Sequence, residues 1–82
     1  VPLRDRDLRF ALLSRSDLHR ADLTQADLRA AQMWRTRVDN AKLRGAQVQG
    51  AFLKGAQLQG AVLEGAKLQG ADLSYAQLQA LI

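Results

Sequence analysis

A five-residue period limits this chain more than any other feature. From Ala41 to Leu73 it reads alanine, two places later leucine or valine, two places later glycine, then alanine again. A fixed internal period of this kind is the signature of a repeat architecture. It excludes the usual elements. On a helix five residues advance about 500°, so each leucine would stand about 140° from the last and no face would be apolar. Each glycine would also cost a helix about 1 kcal/mol relative to alanine. A straight strand has period two, and an odd repeat would turn the inside to the outside at every step.

The pattern works if the chain turns a corner in every repeat. Alanine and leucine, two apart, then face the same side of a very short strand. A type II turn starting at leucine puts glycine third, where φ must be positive, and the next alanine fourth. Right-angle corners close after four sides, so a coil takes about twenty residues and the chain holds about four coils. Three extended residues span about 10 Å, the spacing of two sheets packed face to face. Leucines fill the tube from four walls, and alanine methyls fit near the corners. Successive coils stack at about 4.8 Å and bond as parallel ladders. The predicted fold is all-β, a quadrilateral parallel β-helix, or β-solenoid.

Ala21-Asp22-Leu23, Ala26-Asp27-Leu28 and Ala71-Asp72-Leu73 match the approximate motif Ala-(Asp/Asn)-Leu-X-X. The chain therefore resembles the pentapeptide-repeat family, over essentially its whole length. The resemblance implies a right-handed quadrilateral β-helix. It implies almost nothing about activity, because function on a shared fold lives in its sites.

The central apolar column runs from Leu3 in fives to Leu78, with Met33, Val38 and Val48 as its variants. The small column runs from Ala11 to Ala76 and holds Ser16 and Thr36. Arg6 breaks that column, and an unpaired charge is tolerable there only at an open first coil. The third turn position is glycine from Gly45 to Gly70. Earlier it holds Phe10, Arg15, Arg20, Gln25, Ala30, Arg35 and Asn40. Such side chains resist positive φ, which predicts type I or irregular corners before residue 44 and type II corners after it. Residues 31–40 depart furthest from the motif, so a bulge or irregular corner is expected there. Pro2 suits an edge coil.

Residues 1–82 make one domain, which neighbouring-coil contacts can stabilise despite its size. The chain starts at Val1 without a methionine, and we expect a processed chain or a domain excised from a longer one. No cysteine is present, which removes disulfides and thiolate metal sites. No apolar run approaches 18 residues and no signal peptide is evident. No membrane segment is expected in this chain, and an anchor would lie elsewhere in a full-length protein. The expected setting is the bacterial cytoplasm, or a cytoplasmic domain of a membrane protein.

The net charge is +4, with ten of the twelve Lys and Arg residues at or before Arg44. Residues twenty apart should stack, placing Asp17 under Arg37, Asp22 under Lys42, and Asp7 and Arg9 under Asp27 and Arg29. His19 is the only histidine and falls at an outward turn position. The glycines are corner residues and lead into no helix, so a phosphate loop is not supported. No catalytic, cofactor or metal site is predicted.

Three candidate contact regions remain. Phe10, Leu12, Trp34, Phe52 and Tyr75 gather on or beside the third wall, and exposed aromatics beside arginine mark interface centres. Arg15, Arg20, Arg35 and Arg37 form a candidate basic stripe. Leu81 and Ile82 end the chain without a cap, so an open coil edge could pair two copies into a homodimer. The first reading is a non-enzymatic structural or protein-interaction module whose protein partner is unknown. The alternative is a nucleic-acid-binding surface on the arginine stripe, which is disfavoured because no recognition motif accompanies it. Mimicry of duplex DNA needs an acidic surface, and the positive charge argues against it.

Overall fold

In the computed structural model, which describes residues 2–82, parallel bridges join residues twenty apart. They stack outward-facing residues into four walls. Wall one carries Pro2, Asp22, Lys42 and Val62; wall two, Asp7, Asp27, Gln47 and Lys67; wall three, Leu12, Gln32, Phe52 and Asp72; wall four, Asp17, Arg37, Gln57 and Gln77. Each repeat uses its backbone in both directions. The Leu23 N–H donates to the Lys42 carbonyl at 2.7 Å, and the Lys42 N–H donates to the Ala21 carbonyl at 2.9 Å. The same alternation recurs up the walls and satisfies the polar backbone of a chain with no long strand.

Every described corner has positive φ at its third position. The value is +57° to +63° at ten non-glycine residues and +67° to +73° at the six glycines. The expected division into two corner types is therefore wrong. A coil closes only if each corner bends the same way, and stacked corners enforce this through their own bonds. The Gln25 N–H donates to the Arg44 carbonyl and the Asn40 N–H to the Gln59 carbonyl, both at 2.8 Å. These ladder bonds override the local reluctance of arginine, glutamine or alanine to enter the left-handed region. Residues 31–40 are regular too. Gln32 and Arg37 keep bridges on both sides, and Met33 and Val38 are fully buried. Unbranched, flexible methionine fills the space that leucine fills elsewhere.

The central and small columns form the core. Leu23, Leu28, Met33, Val38 and the small-column alanines from Ala21 to Ala61 are buried. The space left between the central side chains is only about 10 Å³, the lower limit for one water. Thr36 is buried in the small column, and its hydroxyl donates to the Leu13 carbonyl at 2.6 Å, so its polarity is satisfied. Arg6 is exposed in the first coil, as its position requires. Ile82 continues wall one over Val62, donating its N–H to the Ala61 carbonyl and accepting from the Leu63 N–H.

Candidate functional site

The outward positions divide into those that fasten the coil and those left unengaged. Aspartate at the second motif position fastens. In Asp7, Asp17, Asp22, Asp27 and Asp72, Oδ1 accepts the backbone N–H two residues on, at 3.0–3.2 Å. The motif carboxylate therefore pins the turn that follows it. Reading Asp7, Asp17, Asp22 and Asp27 as partners in stacked ion pairs missed this role, although an Asx turn is a recognisable local signal.

Arginines close the same groups. Arg9 lies 2.9 Å from Asp7 and 3.7 Å from Asp27, and Arg29 lies 2.6 Å from Asp27. The Arg9 side chain, and then its backbone N–H, hold the Asp7 carboxyl down at about 2. Arg37 stacks on Asp17 at 3.8 Å, as the register predicts. The cation within 4 Å of Asp22 is Arg4 rather than Lys42, at 3.8 Å.

On wall four His19 Nδ1 lies 2.6 Å from Asp39 Oδ2, and Arg37 reaches the same oxygen at 3.4 Å. Partial burial pushes the Asp39 carboxyl up. The His19 bond, a backbone bond and the neighbouring positive charge outweigh this and leave it lowered. Reading His19 without a partner overlooked the carboxylate stacked twenty residues later. Among the described residues no hydroxyl hydrogen-bonds His19. No group of three potential metal ligands occurs among the described residues.

Wall three differs. Its second outward column is Ser14, Trp34, Lys54 and Ser74, and its corner column is Arg15, Arg35, Gly55 and Tyr75. The Arg15 guanidinium lies 5.0 Å from the Trp34 ring centroid, and Lys54 Nζ lies 5.8 Å from that of Tyr75. Both are cation–π distances. A groove of about 530 Å³ runs between Arg15, Trp34, Arg35, Lys54, Gly55 and Tyr75. A second, of about 310 Å³, lies beyond Trp34 and is lined by Gln32, Trp34, Phe52, Lys54 and Asp72. Trp34, Phe52 and Tyr75 are thus brought together, exposed by 39%, 50% and 85%. Phe10 and Leu12 are also exposed, but they lie in the first coil and line neither groove.

The arginine stripe separates into parts. Arg15 and Arg35 belong to the wall-three groove, while Arg37 is bound to Asp17 and Asp39. Arg20 starts the next corner column, under Asn40. Leu81 and Ile82 begin a further turn of the ladder, and both are exposed. Among the described residues no helix is long and apolar enough to cross a membrane.

The family model described as pentapeptide repeats (8 copies) matches residues 7–45 and 39–74. A pentapeptide repeat protein from Nostoc is 34% identical, with a TM-score of 0.52 over 89% of this chain and 64% of that one. HetL, a pentapeptide repeat protein involved in heterocyst differentiation regulation in the cyanobacterium Nostoc, is 32% identical; the match covers 99% of this chain and 50% of HetL, with a TM-score of 0.36. A pentapeptide repeat protein from the Arabidopsis thaliana thylakoid lumen is 23% identical, with a TM-score of 0.41 over 90% of this chain and 66% of that one. The chain thus spans half to two thirds of these proteins' lengths. No curated protein sequence matches it. With the family match covering most of the chain and agreeing with the bridge pattern, the chain belongs to the pentapeptide-repeat family, whose members are right-handed β-helices.

Proposed function

We propose that the chain is a non-enzymatic protein-interaction module, a rigid rod of about four coils that binds a partner through wall three. One observation carries this reading. Trp34, Phe52 and Tyr75 stand together in outward positions that the repeat does not require to be apolar. Elsewhere the outward columns hold mainly charged residues and glutamine. Adjacent aromatics flanked by arginine are the composition of interface centres. Nucleic-acid binding is less well supported, because the arginines outside wall three are largely matched by carboxylates.

Site-specific photocrosslinking tests the module. A photoreactive residue is placed at Phe52 on wall three, or at Gln47 on wall two, in cells that make the protein. One discrete adduct from wall three and none from wall two is expected. Adducts of equal yield from both walls, or none from wall three, would remove it as the contact.

A further inference from the structure

We propose that the wall-three groove receives a short, extended acidic segment of a protein partner, its carboxylates facing Arg15, Arg35 and Lys54. This rests on the wall-three reading and adds the partner's chemistry. The groove gathers three cations around two aromatic rings, and among the described residues none of the three has a carboxylate within 4 Å. Five other arginines are paired. Arg4, Arg9, Arg29, Arg37 and Arg44 each lie within that distance of an Asp or Glu. Arg6, Arg20, Lys42 and Lys67 likewise have no such partner among the described residues; Arg15, Arg35 and Lys54 are set apart by gathering in one groove beside Trp34 and Tyr75.

The shape limits the occupant. From Arg15 to Tyr75 the groove crosses three coil spacings, about 14 Å in all, which is the length of about four extended residues. At Gly55 an added Cβ would lie 3.2 Å from Arg35 Cγ, so glycine lets the Arg35 stem lie close along the corner. Beyond Trp34 the smaller groove presents Phe52, a place for one apolar side chain. Two carboxylates with an apolar residue between them match this arrangement. A duplex fits less well. Its phosphates would extend past the three cations onto wall four, where Asp17 and Asp39 stand, and Asp72 lines the other side.

Trp34 is the only tryptophan, so its emission reports occupancy directly. The probe is a Glu-Leu-Glu peptide flanked by glycine and serine, titrated beside a Gln-Leu-Gln peptide and a duplex oligonucleotide. A saturable change with the acidic peptide is expected, weakening as salt rises. An exposed ion pair contributes at most about fivefold in affinity. Arg35→Gln with Lys54→Gln should therefore weaken binding by about tenfold, with unchanged melting. Equal binding of the glutamine peptide would overturn the role of charge. Tighter binding of the duplex would overturn the proposal in favour of nucleic acid. No change in Trp34 emission, and no shift of the residue 34, 35, 54 and 55 amide signals at millimolar peptide, would overturn it as well. A wall-three crosslink that persists in any of these cases would leave the interaction module standing with a different partner chemistry.

Discussion

Ala30→Gly should stabilise this protein, and Gly50→Ala should destabilise it. The two positions occupy the same corner column, one coil apart, at φ +58° and +69°. An L-residue in the left-handed region costs about 1–2 kcal/mol, which Ala30→Gly relieves. Against this, glycine loosens the unfolded chain by about 0.4–1 kcal/mol. The half-buried Ala30 methyl is worth about another 0.4 kcal/mol, half of a fully buried methylene. At the midpoints of these ranges the net gain is about 0.4 kcal/mol. At Gly50 no heavy atom lies within 4 Å of an added Cβ, so alanine meets no clash and only backbone strain counts. Less its unfolded-state benefit, the substitution should lose about 0.8 kcal/mol at the midpoints of these ranges. Urea unfolding followed by circular dichroism resolves the signs, and melting should shift by about 2–8 °C in opposite directions. A type I corner at residue 30 would reverse the first sign, because glycine would then only add entropy to the unfolded state. Destabilisation by Ala30→Gly, or a neutral Gly50→Ala, would refute the claim that corner strain is real and uniform.

Two further perturbations probe the core and the carboxylate fastenings. Leu53→Asp places an unpaired charge in the filled tube and should abolish folding; a β-rich spectrum and melting curve like the parent's would show that the inward register is misassigned. Asp7 has a folded-state value of about 2 against 3.8 ordinarily, so its contribution is present above about pH 4 and is lost as pH falls through about 2. Asp22, Asp27, Asp39 and Asp72 are shifted the same way. Arg9→Gln should therefore raise the Asp7 carboxyl titration, followed by carbon NMR, toward 3.8, and an unmoved midpoint would mean that Arg9 is not the cause.

The core was legible because its constraint is periodic. Leucine and alanine at fixed spacing admit one inward register, and the twenty-residue coil then stacks Asp17 on Arg37 and collects Trp34, Phe52 and Tyr75 on one wall. The corners were misread because glycine was taken as necessary for positive φ. Ladder bonds hold Arg15, Gln25 and Asn40 there without it. The His19–Asp39 pair follows from the same twenty-residue rule, which the sequence reading applied to Asp17, Asp22, Asp7 and Asp27 but not to His19. The cation–π geometry was not legible, since register places Arg15 beside Trp34 but does not turn the guanidinium over the ring.

The division between inward and outward positions bears on how such a rod acquires function. An inward substitution must match the volume of a tube with almost no free space, so beyond Arg6 in the open first coil the columns vary only among leucine, valine, methionine and small residues. An outward residue must merely avoid obstructing the coil above it. On walls one, two and four many outward side chains nevertheless serve the fold: aspartates pin turns, arginines close on aspartates, and His19 rests against Asp39. Wall three spends fewer side chains this way. Among the described residues only Asp72 pins a turn there, and Trp34, Phe52, Lys54 and Tyr75 make no side-chain hydrogen bond or ion pair, although Arg15 stands over Trp34 and Lys54 over Tyr75. Truncation of Lys54 or of the largely exposed Tyr75 should therefore change stability little while altering the surface presented to a partner. Separable stability and recognition is the behaviour expected of a binding face on a rigid scaffold, and it gives the wall-three variants a direct control in their own melting curves.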